Sequence, residues 1–228
     1  MFIEEVIFLK VLELKFKLEE ISADFLRILR NSAGNNRGDL FPADSRRLSQ
    51  RNRGIVFLCQ MNFTLRPWKP TDIDSLVKYA NNPNIAKFMT DKFPHPYTKE
   101  NGEAFIAFAT KDDPIHIFAI DVYGEAVGGI GLHPKEDIER MNAELGYWLA
   151  EPFWGKGIIT KAIKQIVDFG FKTYDITRIF ARPFGTNLAS QRVLEKAGFK
   201  FECKFEKTLL KNGEMLDELY YSIRRKEK

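Results

Sequence analysis

The sequence predicts an α+β domain, and three observations carry that prediction. After residue 60 the segments run in the order β-α-α-β-β-β-α-β-α-β-β. Glycine turns at Gly124 and Gly213 join β-rich runs into hairpins, and a single strand-helix-strand passage stands between those hairpins. Hairpins produce antiparallel neighbours, whereas a crossover helix produces a parallel pair. The expected architecture is a mixed, mostly antiparallel central sheet flanked by helices, preceded by an N-terminal extension.

Each element has a local reason. "FTLRPW" alternates as a first strand, and Thr71 to Asp74 resembles a capping box opening a helix that stops before Pro83. "DKFPHPYT" is a proline-punctuated loop, and Thr98 to Ala109 reads as a second helix despite Gly102. "IHIFAIDVYGEAVGGIGLHP" is a hairpin about Tyr123-Gly124-Glu125, where glycine permits a positive-φ turn. "NAELGYWLA" (Asn142 to Ala150) is the next strand. Gly155 to Phe171 follows as a helix, with Ile158, Ala162, Ile163, Ile166, Val167 and Gly170 on one face. "ITRIFARPF" is a strand, "NLASQRVLEKAG" a helix closed by Gly198, and the remainder a hairpin about Asn212-Gly213.

Residues 1–60 differ in character. Phe2, Val6, Leu9 and Glu13 have helical spacing, but Leu12, Leu14, Phe16 and Leu18 alternate as a strand would. Asn31 to Gly54 is polar, basic and turn-rich, the composition of a linker. The division expected is an extension over 1–60, read as an appendage without a part in the chemistry ahead of the other reading, a regulatory or partner-binding arm, and a functional domain over 61–228.

Composition narrows the function classes. The net charge of +4 suits an anionic ligand but is too small and dispersed for nucleic acid. The two cysteines, Cys59 and Cys203, lie far apart without metal-ligand spacing, so neither a disulfide framework nor a metal site is expected. No apolar run reaches the roughly 20 residues that span a bilayer, and Glu and Lys interrupt the N-terminal apolar stretch where a signal sequence would be unbroken. A cytoplasmic protein with no membrane partner is expected.

The most informative stretch is "EPFWGKGIITKAIKQ", Glu151 to Gln165. A Walker loop needs Ser or Thr after its lysine, and here Lys156 is followed by Gly157. A dinucleotide fingerprint needs a third glycine where Thr160 stands, inside a parallel sheet that the hairpins contradict. Two readings remain. One is an acyl-coenzyme A loop, whose orphan N–H groups and helix dipole receive a pyrophosphate. The other is a strand-to-helix turn with glycine for steric reasons alone.

"GGIGLHP", "AELGYWLAEPFWGKGIITKAI" and "FGTNLASQRVLEKAGF" together resemble the GNAT superfamily of N-acetyltransferases, in its RimJ/RimL-like branch. The resemblance extends from Met61 to about Ile223. It implies a GNAT-like fold, acetyl-CoA as co-substrate, and an amine acceptor that is either a protein N-terminus or a small amine. A homodimer is common among similar proteins. The coenzyme A loop then falls on Trp154, Gly155, Lys156, Gly157, Ile158, Ile159 and Thr160. Trp154 replaces the usual Gln or Arg, Ile159 a small residue, and Lys161 a glutamate. Asn187 and Ser190 match positions facing the pantetheine arm, and Asn187 is equally suited to capping its helix.

Acetyl transfer to an amine needs a neutral amine, a polarised thioester carbonyl and a proton for the departing thiolate. By resemblance, Glu144 is the candidate base, on the strand face it shares with Gly146 and Trp148 by period-two alternation. A backbone N–H near Leu149 would polarise the carbonyl. Ser190 stands in for the tyrosine that many GNATs place on this helix. Phe93, His95, Tyr97, His133 and Trp148 are the candidates for the acceptor pocket, and His116 reads as a structural strand residue. Neither cysteine falls beside the thioester, so direct attack is expected rather than an acyl-enzyme. The alternative is a chain that keeps the fold and binds acyl-CoA as a sensor without catalysis, motivated by Ile159, Lys161 and the extension.

Overall fold

The computed structural model describes residues 62–226, so the extension expected over 1–60 lies outside the described residues. The strands are β1 (Thr64–Pro67), β2 (Ile117–Val122), β3 (Glu125–Pro134), β4 (Asn142–Leu149), β5 (Arg178–Ala181), β6 (Lys200–Lys211) and β7 (Glu214–Arg224). The helices are α1 (Ile73–Ala80), α2 (Pro83–Ala86), α3 (Lys99–Ala109), α4 (Ile158–Thr173) and α5 (Leu188–Ala197). They build a seven-stranded sheet in the order β1-β2-β3-β4-β5-β7-β6. Every neighbouring pair is antiparallel except β4–β5, the pair joined by the α4 crossover. The fold class and element order expected from the sequence are those observed, with one helix added.

That helix is α2, and it begins at the residue expected to end a helix. Asn82 caps it, its side chain accepting the Asn84 N–H at 2.8 Å. Pro83 occupies the first turn, where its missing N–H would have no partner in any case. A second local correction concerns Thr71. It does not cap α1; a 3-10 turn over Pro70–Asp72 leads into the helix. Asp72, not Asp74, closes a capping box, but on that 3-10 turn, accepting the Lys69 N–H at 2.8 Å and two bonds from Arg66, while α1 itself has no side-chain cap. Arg66 also donates to Asp121 on β2 at 2.7 Å, so one guanidinium ties β1, β2 and the start of α1 together.

The two faces of the sheet bury different residues. Ile130 and Leu132 of β3 and Leu145 and Leu149 of β4 pack with Ile158, Ile163 and Ile166 of α4 and Leu194 of α5. Trp148 of β4 turns the other way, into a second cluster with Trp68, Leu76, Ile85, Tyr97 and Ile106 beneath α1–α3. Period-two alternation is thus what gives each strand both covers. The face expected of α4 is the buried one, residue for residue. Its Gly170 marks a close approach, since a Cβ there would sit 2.3 Å from Leu132 Cδ1.

The site depends on one interruption in the sheet. β4 and β5 pair only from Asn142–Arg178 to Glu144–Phe180. β4 then runs on to Leu149 while β5 ends at Ala181, so the two strands part. Among the described residues no helix is long and apolar enough to cross a membrane.

Candidate active site

A cavity of about 400 Å³ lies where β4 and β5 separate. Its walls are β4 from Glu144 to Leu149, the loop entering α4, the segment from Ala181 to Phe184, the first turns of α5, and the Ile85–Thr90 region beginning in α2.

The loop at one end has the backbone that its sequence requires. Gly155 and Gly157 have φ of 73° and 75°, a region that disfavours residues with a Cβ. Gly157 is the N-cap of α4, no side chain caps the helix, and its first turn contains no acidic residue. The N–H groups of that turn therefore lack intrahelical partners at the positive end of a four-turn helix. This arrangement fits a pyrophosphate. Gly155, Gly157, Ile158 and Ile159 line the cavity, whereas Lys156 and Thr160 lie outside its lining. The Lys156 ammonium sits over the Phe153 ring instead, 5.2 Å from its centre. Ile159 also packs against the core, which fixes the first turn from within. Trp154 bonds backward: its indole N–H donates to the Leu149 carbonyl at 2.6 Å, pinning the loop to the end of β4.

Along the cavity Asn187 accepts the Ser190 N–H at 3.1 Å and lines the cleft as well, so one residue both caps α5 and faces the cavity. Ser190 Oγ lies 2.7 Å from the hydroxyl of Tyr147. Burial pushes the Tyr147 phenol up to about 12, with the Ser190 bond opposing. Tyr147 was not among the residues expected from the sequence. It shares its strand face with Leu145 and Leu149 rather than with Glu144, and 43 residues separate it from Ser190.

Glu144 lines the cavity on the opposite face, but neither of its oxygens is free. Lys135 donates to Oε2 at 2.6 Å and Arg182 to Oε1 at 2.8 Å. Burial raises its carboxyl, and these two cations outweigh that and hold it below the usual carboxylate range. A carboxylate so occupied is a weak proton acceptor, so its surroundings weigh against the expected role of base. Arg182 bonds Glu218 too, at 3.1 Å, extending the network to β7.

Of the five residues expected around the acceptor, Trp148 lines the cavity. Phe93 packs behind it, with ring centres 6.0 Å apart, and Tyr97 is buried behind Phe93 at 5.1 Å. His133 is the cross-strand neighbour of Glu144. His95 does not reach the cavity; it lines a second hollow of about 450 Å³ with Lys87 and Lys211, a hollow that Phe93 borders as well. His116 precedes β2 rather than lying in it, its ring nitrogens bonded to Leu132 O and Asp112. A further contact invisible in the sequence is Glu151, which accepts bonds from Asn82 (2.8 Å) and Asn84 (3.1 Å) and so fastens α2 beside the end of β4.

Residues 62–200 match the acetyltransferase (GNAT) domain family. The "Putative ribosomal N-acetyltransferase YdaF" of Bacillus subtilis is 36% identical over 193 residues, spanning 75% of this chain and 97% of that protein. Two solved structures share the fold at a TM-score of 0.64. The self-immunity acetyltransferase MccE, in complex with acetyl-CoA and AMP, is 24% identical over 72% of this chain and 92% of its own. RimL, a ribosomal alpha-N-protein acetyltransferase in complex with coenzyme A, is 20% identical over 71% of this chain and 93% of its own. With that family covering most of the described domain, and with a relative above 30% identity spanned almost end to end, the chain belongs to the GNAT family and is an N-acetyltransferase of the RimJ/RimL-like kind that its motifs resemble.

Proposed function

We propose that the chain transfers the acetyl group of acetyl-CoA to a primary amine by direct attack within a ternary complex. The observation that carries this reading is the parting of β4 from β5, with an uncapped glycine loop at one end of the gap and Ser190 in its middle. The first turn of α4 would receive the pyrophosphate, and the unpaired edge of β4 up to Leu149 would hold the pantetheine arm and polarise the thioester carbonyl. Ser190 would hand a proton to the departing sulfur. Cys203, the described cysteine, lies in β6 away from the cavity, which supports direct attack over an acyl-enzyme.

The acceptor wall favours a peptide α-amine over a polyamine. Ile85, Phe88, Met89 and Trp148 make it apolar. Among the described residues the one carboxylate in the cavity wall, Glu144, is committed to Lys135 and Arg182 rather than open to a second ammonium. The word "ribosomal" in the names of YdaF and RimL points in the same direction.

Calorimetric titration with acetyl-CoA, followed by thiol release across peptides with free N-termini and a panel of small amines, tests the reading. Binding together with release on a peptide α-amine is the expected result. Binding without release on any amine would leave an acyl-CoA sensor, and absence of binding would remove both.

A further inference from the structure

With Glu144 held by two cations, the acceptor face needs another group to take the proton of an incoming ammonium. His133 is placed for it. It stands on β3 directly opposite Glu144, and alternation puts it on the same face as Glu144, Gly146 and Trp148. Gly146 lines the cavity and carries no side chain; a Cβ there would lie 3.7 Å from His133 Nε2 and 3.9 Å from Cδ2, with no other atom within 4 Å. The imidazole therefore leans toward Gly146, a residue of the cavity wall, while His133 itself stands just behind that wall. Among the described residues neither of its ring nitrogens has a hydrogen-bond partner. Its neighbour His116, with ring centres 5.5 Å apart, has both nitrogens engaged by Leu132 O and Asp112.

We propose that His133 Nε2, reaching across Gly146, is the general base that deprotonates the acceptor amine. The inference rests on the acetyl-transfer reading above. One proton passes from the ammonium to the imidazole, and the freed lone pair forms the N–C bond at the thioester carbon. The C–S bond then breaks with its electron pair going to sulfur. The second proton leaving the nitrogen neutralises the thiolate by way of Ser190, and the imidazolium returns its proton to water. The sum is amide, thiol and one released proton.

The charged and titratable groups facing His133 are His116 before β2, Lys135 just past the end of its own strand and Glu144 on β4. Burial and the His116 ring push its pKa below the usual imidazole value, with Glu144 opposing. The ring is thus neutral at pH 7 with its lone pair available, and the same lowering makes it a weaker proton acceptor than a free imidazole, though without the two cations that occupy Glu144.

The test is kcat/KM against pH for the full chain with acetyl-CoA and a free-amine peptide. The wild type is expected to lose activity below a limb that lies under the free-histidine value. His133→Gln should lower kcat about 100-fold or more and abolish that limb, while Glu144→Gln retains it. Gly146→Ala, whose methyl would meet only the His133 ring, should lower kcat while acetyl-CoA affinity by calorimetry stays within about twofold. This second variant keeps the test decisive if His133→Gln fails to fold. An unchanged limb in folded His133→Gln, or full activity in Gly146→Ala, would overturn the assignment to His133 alone. A wild type releasing no thiol with any amine would instead overturn the acetyl-transfer reading, and this inference with it.

Discussion

The hydroxyls of Tyr147 and Ser190 lie 2.7 Å apart, joining the inner face of β4 to the first turn of α5 across the gap between β4 and β5. If the phenol donates, the serine's own proton is left to point into the cavity, where a leaving thiolate would take it. The buried Tyr147 hydroxyl, pushed up to about 12, keeps its proton at any pH of interest. It orients Ser190 rather than ionising in its place. Tyr147→Phe is expected to cost about 1 kcal/mol of stability. It should lower kcat on the order of 10-fold, with calorimetric acetyl-CoA affinity nearly unchanged. Equal losses in kcat and acetyl-CoA affinity would indicate a packing role only.

Gly157 offers a cleaner test of the loop. A Cβ on it meets nothing within 4 Å, so Gly157→Ala introduces no clash and acts through φ alone. Holding a residue with a Cβ in the left-handed region costs about 1–2 kcal/mol. If binding requires this backbone shape, acetyl-CoA affinity by calorimetry should fall about tenfold. The melting temperature should fall modestly.

Trp154 fastens the loop through its indole N–H rather than through its bulk. Trp154→Phe keeps an aromatic ring but loses the bond to Leu149 O, worth about 1 kcal/mol, and acetyl-CoA affinity should drop several-fold. Trp154→Gln restores a donor and should recover part of the loss. Equal affinity in the two variants would show that the bond does not matter.

Glu144 makes a prediction about acid stability. Its folded pKa lies below the unfolded value of 4.5, so the folded state binds fewer protons there. The stability it supplies is present above that value and is lost as pH falls through the lower folded value. Urea unfolding between pH 7 and pH 3 should therefore show a steeper acid loss for the wild type than for Glu144→Gln. Parallel curves would mean that the Lys135 and Arg182 pairs contribute nothing measurable.

Much of the domain is legible in the order and spacing of its residues. The α4 face from Ile158 to Gly170, the hairpin turns at Gly124 and Gly213 and the Gly155–Gly157 loop depend on neighbours within a few residues, and local spacing reports such relations directly. Local spacing misleads at Pro83 and Thr71. At the first, proline both ends one helix and opens another; at the second, the carboxylate nearest the arginine of β1 takes over the capping.

By itself, then, the sequence determined the element order, the mixed sheet and the position of the loop, because each follows from backbone preference and short-range periodicity. Only the tertiary structure decided which side chains meet in the gap. It set Tyr147 against Ser190, filled both oxygens of Glu144 with Lys135 and Arg182, laid the His133 ring beside Gly146, and sent His95 to a different hollow. Those meetings depend on strand register and on where β4 parts from β5. Both are fixed by packing between residues tens of positions apart, which no local pattern records.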